Sequence, residues 1–393
     1  MKKMLLLSGK LFVVIKGKIP SAFIAASTKK QLSWLVLMRY CLLLLLLTAS
    51  FGARAQVSVT GGTAAAGSYS SLNDALTAVN ANIATGAITI TITGPYTETT
   101  PPDGLAVGSA TLNPTLSATN TLNINTTGGT VTLNAGVGTV SDNSGLRVIP
   151  DGMMKLIGAD HVTIDGLTFT DGNSSDPETM EYGIAFFKRT AGDGCNNNLI
   201  QHCIFNMKFK NADASKFSAA ITVINSSGSS FLASDLNNVI PTNGGTLATN
   251  GTNSGNKFYS NTINGGIAGI KLYGYSGDLG TGTAPDPASF LGDLGNDIGG
   301  NSAATANTIL NFGGNTTRLE IYGIQTQDHY NLNVSYNTIN NNNGSGVNNK
   351  GSILGISCGM SISSGYPIKT KINNNSLSIQ ALYDANVTVS ASQ

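Results

Sequence analysis

Two short patterns alternate along the C-terminal two thirds of this chain. The first is a polar residue, one or two small residues and an apolar one: DGLTF from Asp165, HCIF from His202, NTIN from Asn261, NTIL from Asn307, NTIN from Asn337 and NSLSI from Asn375. The second is a small residue, Ile and an alternating strand: GIAFF from Gly183, AITVI from Ala220, GIKLY from Gly269, GIQTQ from Gly323 and GISCG from Gly355. Each of the first five copies is followed by the second pattern after 18, 18, 8, 16 and 18 residues. Copies of the first recur 37, 59, 46, 30 and 38 residues apart. A fixed order of short strands with variable spacing points to stacked coils whose insertions bulge outward.

The physics is that of a solenoid. A strand with one apolar face cannot bury it alone, but parallel copies about 4.8 Å apart share a continuous core. Asn and Gly suit the corners because they tolerate left-handed backbone. Asn also both donates and accepts, so stacked amides can bond along the axis as a ladder. This reading places Asn337 of NVSYNTINNNNGSG in one column with Asn261, Asn307 and Asn375. It also predicts an equivalent polar residue within one coil spacing of Asn337. If every copy is in register, Asp165 and His202 stand in that same column. A β-sandwich, the rival all-β solution, predicts tight hairpins rather than one strand signature with long excursions.

Ahead of the repeats, Leu72, Ala75, Leu76, Val79 and Ile83 in SYSSLNDALTAVNANI fall on one face of a helix. Ser71 and Asp74 form a capping-box-like pair. Ile88, Ile90 and Ile92 then alternate with Thr in a half-buried strand that stops at Gly94-Pro95. One short helix before a long β-rich chain predicts a lid over the end of the sheets, where it hides backbone edges.

Only 11% of residues are charged, against roughly 25% in an average soluble protein; Asn, Thr, Ser and Gly take their place. MRYCLLLLLLTASFGARAQ (Met38 to Gln56) carries a base, an apolar run and Ala53-Arg54-Ala55, the pattern of a secretory signal cleaved after Ala55. The run is shorter than the roughly 20 residues of a membrane span, so no span is expected after cleavage. Residues 1–37 read as an over-long start, with Met38 the true one. Residues 1–55 hold nine Lys or Arg and no acid, so their removal takes the formal charge from +1 to −8, thirteen bases against 21 acids. An acidic mature chain argues against nucleic acid as a partner. Cleavage leaves Cys195, Cys203 and Cys358. The first two can bridge a short loop, but the plainer reading is small buried hydrophobes.

The cap-like SYSSLNDALTAV with ITITITGPYTET, followed by the N-T-I and G-I strands, resembles right-handed parallel β-helix proteins of the pectin-lyase-like fold. In style it looks like the secreted β-helix proteins of the Bacteroidetes, over about residues 57–382. The motifs are scaffold residues, specific for fold and export rather than activity. The resemblance implies two enzyme classes on this scaffold. Polysaccharide lyases would need acids holding calcium and a Lys or Arg base; glycoside hydrolases would need clustered aspartates. Proteins of this style often end in a separate sorting domain, whereas this chain ends at ALYDANVTVSASQ, as expected of a fragment.

Candidate chemistry is sparse. Asp160, His161, Asp165 and Asp171 in GADHVTIDGLTFTDG, with His202, offer an acid–imidazole pair; the plainer reading is Asp and His replacing Asn at turns, with Asp160 and His161 at the preceding turn. Lys188 and Arg189 offer a lyase base, but neighbouring strand residues face opposite ways, so at least one is surface charge. In the insertion from Ser276 to Asn301, Asp278, Asp286, Asp293 and Asp297 are calcium candidates, Asp293 and Asp297 foremost, without the spacing of known calcium loops. Tyr259, Tyr273, Tyr275, Tyr322, Tyr330 and Tyr336 lie beside the strands, and Tyr273 and Tyr275 are expected on a shared face. No cofactor is implied beyond that possible calcium.

The expectation is therefore a signal region (1–55), an N-terminal cap (56–104) and β-helix repeats (105–393), exported and monomeric. The function expected is a non-enzymatic scaffold at the cell surface or beyond it, for adhesion or for contact with a polysaccharide or cell-surface glycan. The alternative is a polysaccharide lyase or glycoside hydrolase.

Overall fold

The computed structural model describes residues 38–40, 56–138, 151–172, 180, 182–207, 218–227, 242–243, 246–247, 249–275, 292–313, 320–341, 352–359 and 369–379. The chain divides into two compact units, Met1–Arg54 and Ala55–Gln393. Of the first, only the helical residues 38–40 are described. Most of the signal region, Asp278, Asp286 and the asparagines Asn342 and Asn343 lie outside the described residues. Among the described residues no helix is long and apolar enough to cross a membrane.

Ala55–Gln393 is a parallel β-helix. Its strands form three long sheets of ten, eight and seven strands, each ordered so that sequence neighbours along a sheet belong to successive coils. Apart from Val57–Gly61 and Gly67–Tyr69 at one end of the ten-stranded sheet, which pair antiparallel, the strands in these sheets pair in parallel. The strand Ile88–Thr93 opens the stack with Ile88, Ile90 and Ile92 fully buried and Thr89 and Thr91 facing out.

The helix α1 (Leu72–Asn80) packs against the strands Val57–Gly61, Gly67–Tyr69 and Leu105–Val107. It buries Leu72, Ala75, Leu76 and Val79. The Ser71 hydroxyl accepts from the Asp74 N–H at 3.0 Å. The Asp74 carboxylate takes the Ser70 hydroxyl at 2.6 Å. The first N–H groups of the helix find Glu98, whose carboxylate accepts from Leu72 N at 2.8 Å and Asn73 N at 3.2 Å. An acid at the positive end of a helix is favourable, and here it ties α1 to the coil beneath. Ile83 departs from expectation: the helix ends at Asn80 and Ile83 is 51% exposed, because the chain has already turned off the buried face.

The second signature is in register throughout, and the first is in register from Asn261 onward. Ile184, Ile221, Ile270, Ile324 and Ile356 pair in succession across the seven-stranded sheet. The small residue before each is explained by packing. A Cβ on Gly183 would lie 2.7 Å from the Phe205 ring, on Gly269 2.6 Å from Ile309 Cγ2, and on Gly323 2.6 Å from Ile339 Cγ2. These positions lack side chains because the facing sheet and the carbonyl oxygen of the next coil, 2.5–2.6 Å from each such Cβ, fill the space. Inside, Phe169 stacks on Phe205 with centroids 4.9 Å apart. Ala185, Phe187 and Ile224 alternate away from the core into a second buried apolar cluster.

The corners hold the ladders. Asn261 Nδ2 donates to Asn307 Oδ1 at 3.1 Å, Asn307 Nδ2 to Asn337 Oδ1 at 2.9 Å, and Asn337 Nδ2 to Asn375 Oδ1 at 3.0 Å. Each amide also caps backbone, as when Asn337 Oδ1's neighbour Asn375 accepts from Asn337 N at 2.9 Å. A second column runs Asn198, Asn256, Asn296, with Asn198 Nδ2 on Asn256 Oδ1 at 3.0 Å and Asn256 N on Asn296 Oδ1 at 2.8 Å. Asn337 thus has the equivalent amide above and below that the sequence predicts.

Asp165 and His202 do not occupy the ladder column. Thr262 pairs with Ile204, so the residue beneath Asn261 is Cys203, whose N–H donates to Asn261 Oδ1 at 3.0 Å. His202 instead takes the left-handed corner (φ +50), the place filled by Ser260, Tyr336 and Asn374 in other coils. Asp165 lies in the strand Val162–Asp165, paired with Gln201.

Candidate functional site

The polar side chains named by the sequence converge best on the outer face of the ten-stranded sheet. Its strands Val162–Asp165, Leu199–Gln201, Lys257–Tyr259, Asp297–Ile298 and Asn333–Ser335 are consecutive parallel neighbours. Ile164, Ile200, Phe258, Ile298 and Val334 point into the core and are fully buried. Period-two alternation therefore sends Asp165, Gln201, Tyr259, Asp297 and Asn333 outward.

These residues form two bonded groups. The Asp165 carboxylate accepts from Gln201 Nε2 at 2.7 Å and faces His202 Nδ1 at 2.9 Å. The side chains of this pair remain 34% and 59% exposed. Asp297 has more partners: it accepts from Tyr259 Oη at 2.7 Å, Asn333 Nδ2 at 2.7 Å and Gly300 N at 2.9 Å. Burial first, then Asp297, push the Tyr259 phenol well above its ordinary range, so it stays a neutral donor. Ser335 Oγ donates to Asn333 Oδ1 at 2.7 Å within the same strand and also faces Asn373 Oδ1 of the next coil, which carries the contacts along the axis.

The spacing decides what this face can do. Asp165 and Asp297 lie three coils apart, roughly 14 Å along the axis at the usual strand separation. Carboxyl pairs that cleave glycosides stand about 5–9.5 Å apart. These two cannot flank one glycosidic bond. Asp160 does not join them: it sits at the other end of the strand Val162–Asp165, where its Oδ1 accepts from Asn196 N at 2.6 Å. Burial, opposed by those hydrogen bonds and aided by the charge of Asp193, raises Asp160 to about 7. His161 takes left-handed backbone (φ +55), and burial lowers its pKa. Asp171 is buried past the end of the strand Thr168–Thr170.

The remaining candidates scatter. Lys188 is fully buried, and desolvation lowers it to about 8 against the pull of Asp293 and Cys195. Arg189 turns outward and pairs with Asp193, so the two bases do face different ways. Asp293 is fully buried in a third corner column, its Oδ1 accepting from Asn253 N at 2.8 Å as Asn253 Oδ1 accepts from Cys195 N at 2.9 Å. Asp293 and Asp297 thus serve different corners and faces. Among the described residues no group of three or more His, Cys, Asp or Glu is placed to hold a metal ion. Cys195 and Cys203 are free and buried. Tyr275 departs from expectation: the strand ends at Tyr273, alternation stops there, and Tyr275 is buried while Tyr273 lies beneath Lys271 Nζ at 4.4 Å.

The outer face of the eight-stranded sheet is a second surface, whose rows emerge only when the coils are stacked. Parallel pairing aligns Thr132, Thr168, Ile204, Thr262, Thr308 and Thr338 in one row. The available signal was the residue after each ladder position: Thr262, Thr308 and Thr338 follow Asn261, Asn307 and Asn337. The fold and its two polar flanks define a parallel β-solenoid with uncharged and mixed outer faces. Comparison with known proteins gives no matching family model, no matching curated protein and no matching solved structure.

Proposed function

We propose that the mature chain is an exported β-helix scaffold of pectin-lyase-like, Bacteroidetes type, which contacts carbohydrate at the cell surface or beyond it without cleaving it. The observation that carries this reading is the outer face of the ten-stranded sheet. It offers amide, hydroxyl, phenol, ammonium and single carboxylate groups on a rigid frame, with exposed Lys257 and Lys371 in the row of Asp297 and Asn333 and its two carboxylates too far apart to act on one bond. Neighbouring hydroxyls of a sugar suit such paired donors and acceptors, and Tyr259 supplies an aromatic edge. Fold alone carries no activity, so the reading rests on this face.

The exposed Asp165–His202 pair is what favours the second reading, a polysaccharide lyase or glycoside hydrolase. A panel of polygalacturonate and related glycans, with and without calcium, separates the two. Binding without new ends, weakened in Tyr259→Ala, supports the scaffold. Release of unsaturated or reducing ends, abolished in Asp165→Asn or His202→Ala, overturns it.

A further inference from the structure

The eight-stranded sheet presents a second outer face of different chemistry. Six of its eight first-row positions are threonine: Thr97, Thr132, Thr168, Thr262, Thr308 and Thr338. Ile204 and Ser376 complete that row. Two residues on, the second row carries Asn134, Asn206, Asn264 and Asn340, with Thr99 and Thr170 among the rest. Leu310 and Ser378 complete it. The register runs from one end of the sheet to the other without a shift. The row residues are exposed or half-buried, while Leu133, Phe169, Phe205, Ile263, Ile309 and Ile339 between the rows are fully buried.

We propose that this face is an ice-binding surface. Its hydroxyls and methyls repeat about every 4.8 Å along the axis and every 6.6 Å along each strand. The oxygen repeat along the a axis of hexagonal ice is close to the first spacing, and its c-axis repeat is somewhat longer than the second. Water held on such a grid, hydroxyl to oxygen and methyl to the hollow between, joins the crystal without rearrangement.

Three features of the structure suit ice over other ligands. Neither row contains a charged residue, so nothing holds water in the radial order of an ionic shell. Neither row contains an aromatic ring, which a crystalline polysaccharide would use for stacking, whereas the glycan-facing sheet has Tyr259. The grid is also pinned from behind, since the bonded amides of Asn261, Asn307 and Asn337 immediately precede Thr262, Thr308 and Thr338. Side-chain ladders of this kind keep a sheet flat over many strands.

The test is freezing-point hysteresis and ice-recrystallisation inhibition by the purified protein. The expected result is a measurable hysteresis gap with faceted crystals. Thr308→Tyr, a bulky group in the middle of the grid, should abolish both, and Thr89→Tyr on the ten-stranded sheet should preserve them. Thr338→Lys, which places a charge on the grid, serves as the second variant, each checked for an unchanged unfolding midpoint. Absence of hysteresis and recrystallisation inhibition in the parent protein overturns the proposal. So does activity that survives both grid variants, or adsorption of the parent to microcrystalline cellulose or chitin but not to ice.

Discussion

Asn307 Nδ2 donates to Asn337 Oδ1 at 2.9 Å, and both side chains are fully buried. Asn307 also receives Asn261 N at 3.0 Å and donates to the Phe258 carbonyl at 2.8 Å. Asn307→Ala therefore strands several buried polar groups, each worth about 1–3 kcal/mol when left unpaired. Denaturant unfolding should show a loss of at least that size. Asn307→Asp keeps the acceptor but aims a carboxylate at two oxygens, so it should be less damaging at acid pH than at neutral pH.

Gly323 is small because its coil neighbours are close. A Cβ there would sit 2.5 Å from the Gly355 carbonyl oxygen and 2.6 Å from Ile339 Cγ2. Gly323→Ala should cost about 1–3 kcal/mol by overpacking. Gly67→Ala is the control: its nearest neighbour would be a Tyr69 ring carbon at 4.0 Å, and its unfolding midpoint should hardly move.

Asp160 sets a pH dependence. Burial raises its carboxyl to about 7, whereas an unfolded aspartate titrates near 3.9. Between about pH 4 and 7 the folded chain therefore holds a proton that the unfolded chain has lost. The favourable contribution is complete below pH 4 and falls away as pH rises through about 7. Asp160→Asn keeps the acceptor for Asn196 N and should flatten that part of the stability profile, raising the denaturation midpoint above pH 7.

The thiols give a solvent-access test. Burial, foremost, pushes Cys195 far up and Cys203 up to about 12. Cys203 Sγ also points at the Gln201 carbonyl at 3.2 Å. Neither should react with iodoacetamide in the native protein at pH 8, read by mass spectrometry, and both should react in denaturant. Fast native labelling of either would show that the corners open.

Much of the architecture is legible in the sequence because stacking repeats the same demand in each coil: a ladder amide, an outward small polar residue and an inward Ile. What is not legible is one-residue register where the ladder residue is not Asn. HCIF aligns by eye with NTIN from its first residue, yet His202 takes the left-handed corner and Cys203 the ladder position. Backbone handedness, not side-chain polarity, separates the two places. The site is legible only in part for a similar reason. Asp165, His202 and Asp297 stand out as ionisable residues, but Gln201, Tyr259 and Asn333 become their partners only when successive coils are stacked. Alternation holds only to the strand end at Tyr273, so it does not place buried Tyr275. Lys188, at the buried end of its strand, lies in the field of Asp293 and Cys195, which its own strand does not reveal.

Successive N-T-I units stand one coil apart along a single axis. Pulsed electron-electron spin resonance tests it directly, with one spin label at Thr338 and the second placed in turn at Thr262, Thr168 and Thr132. The pairing order puts these two, four and five coils from Thr338. The backbone separations should rise in proportion, by about 4.8 Å per coil, to roughly 24 Å for the last pair. Distances that fail to increase in that order would contradict the solenoid and the ladder on which the two outer faces depend.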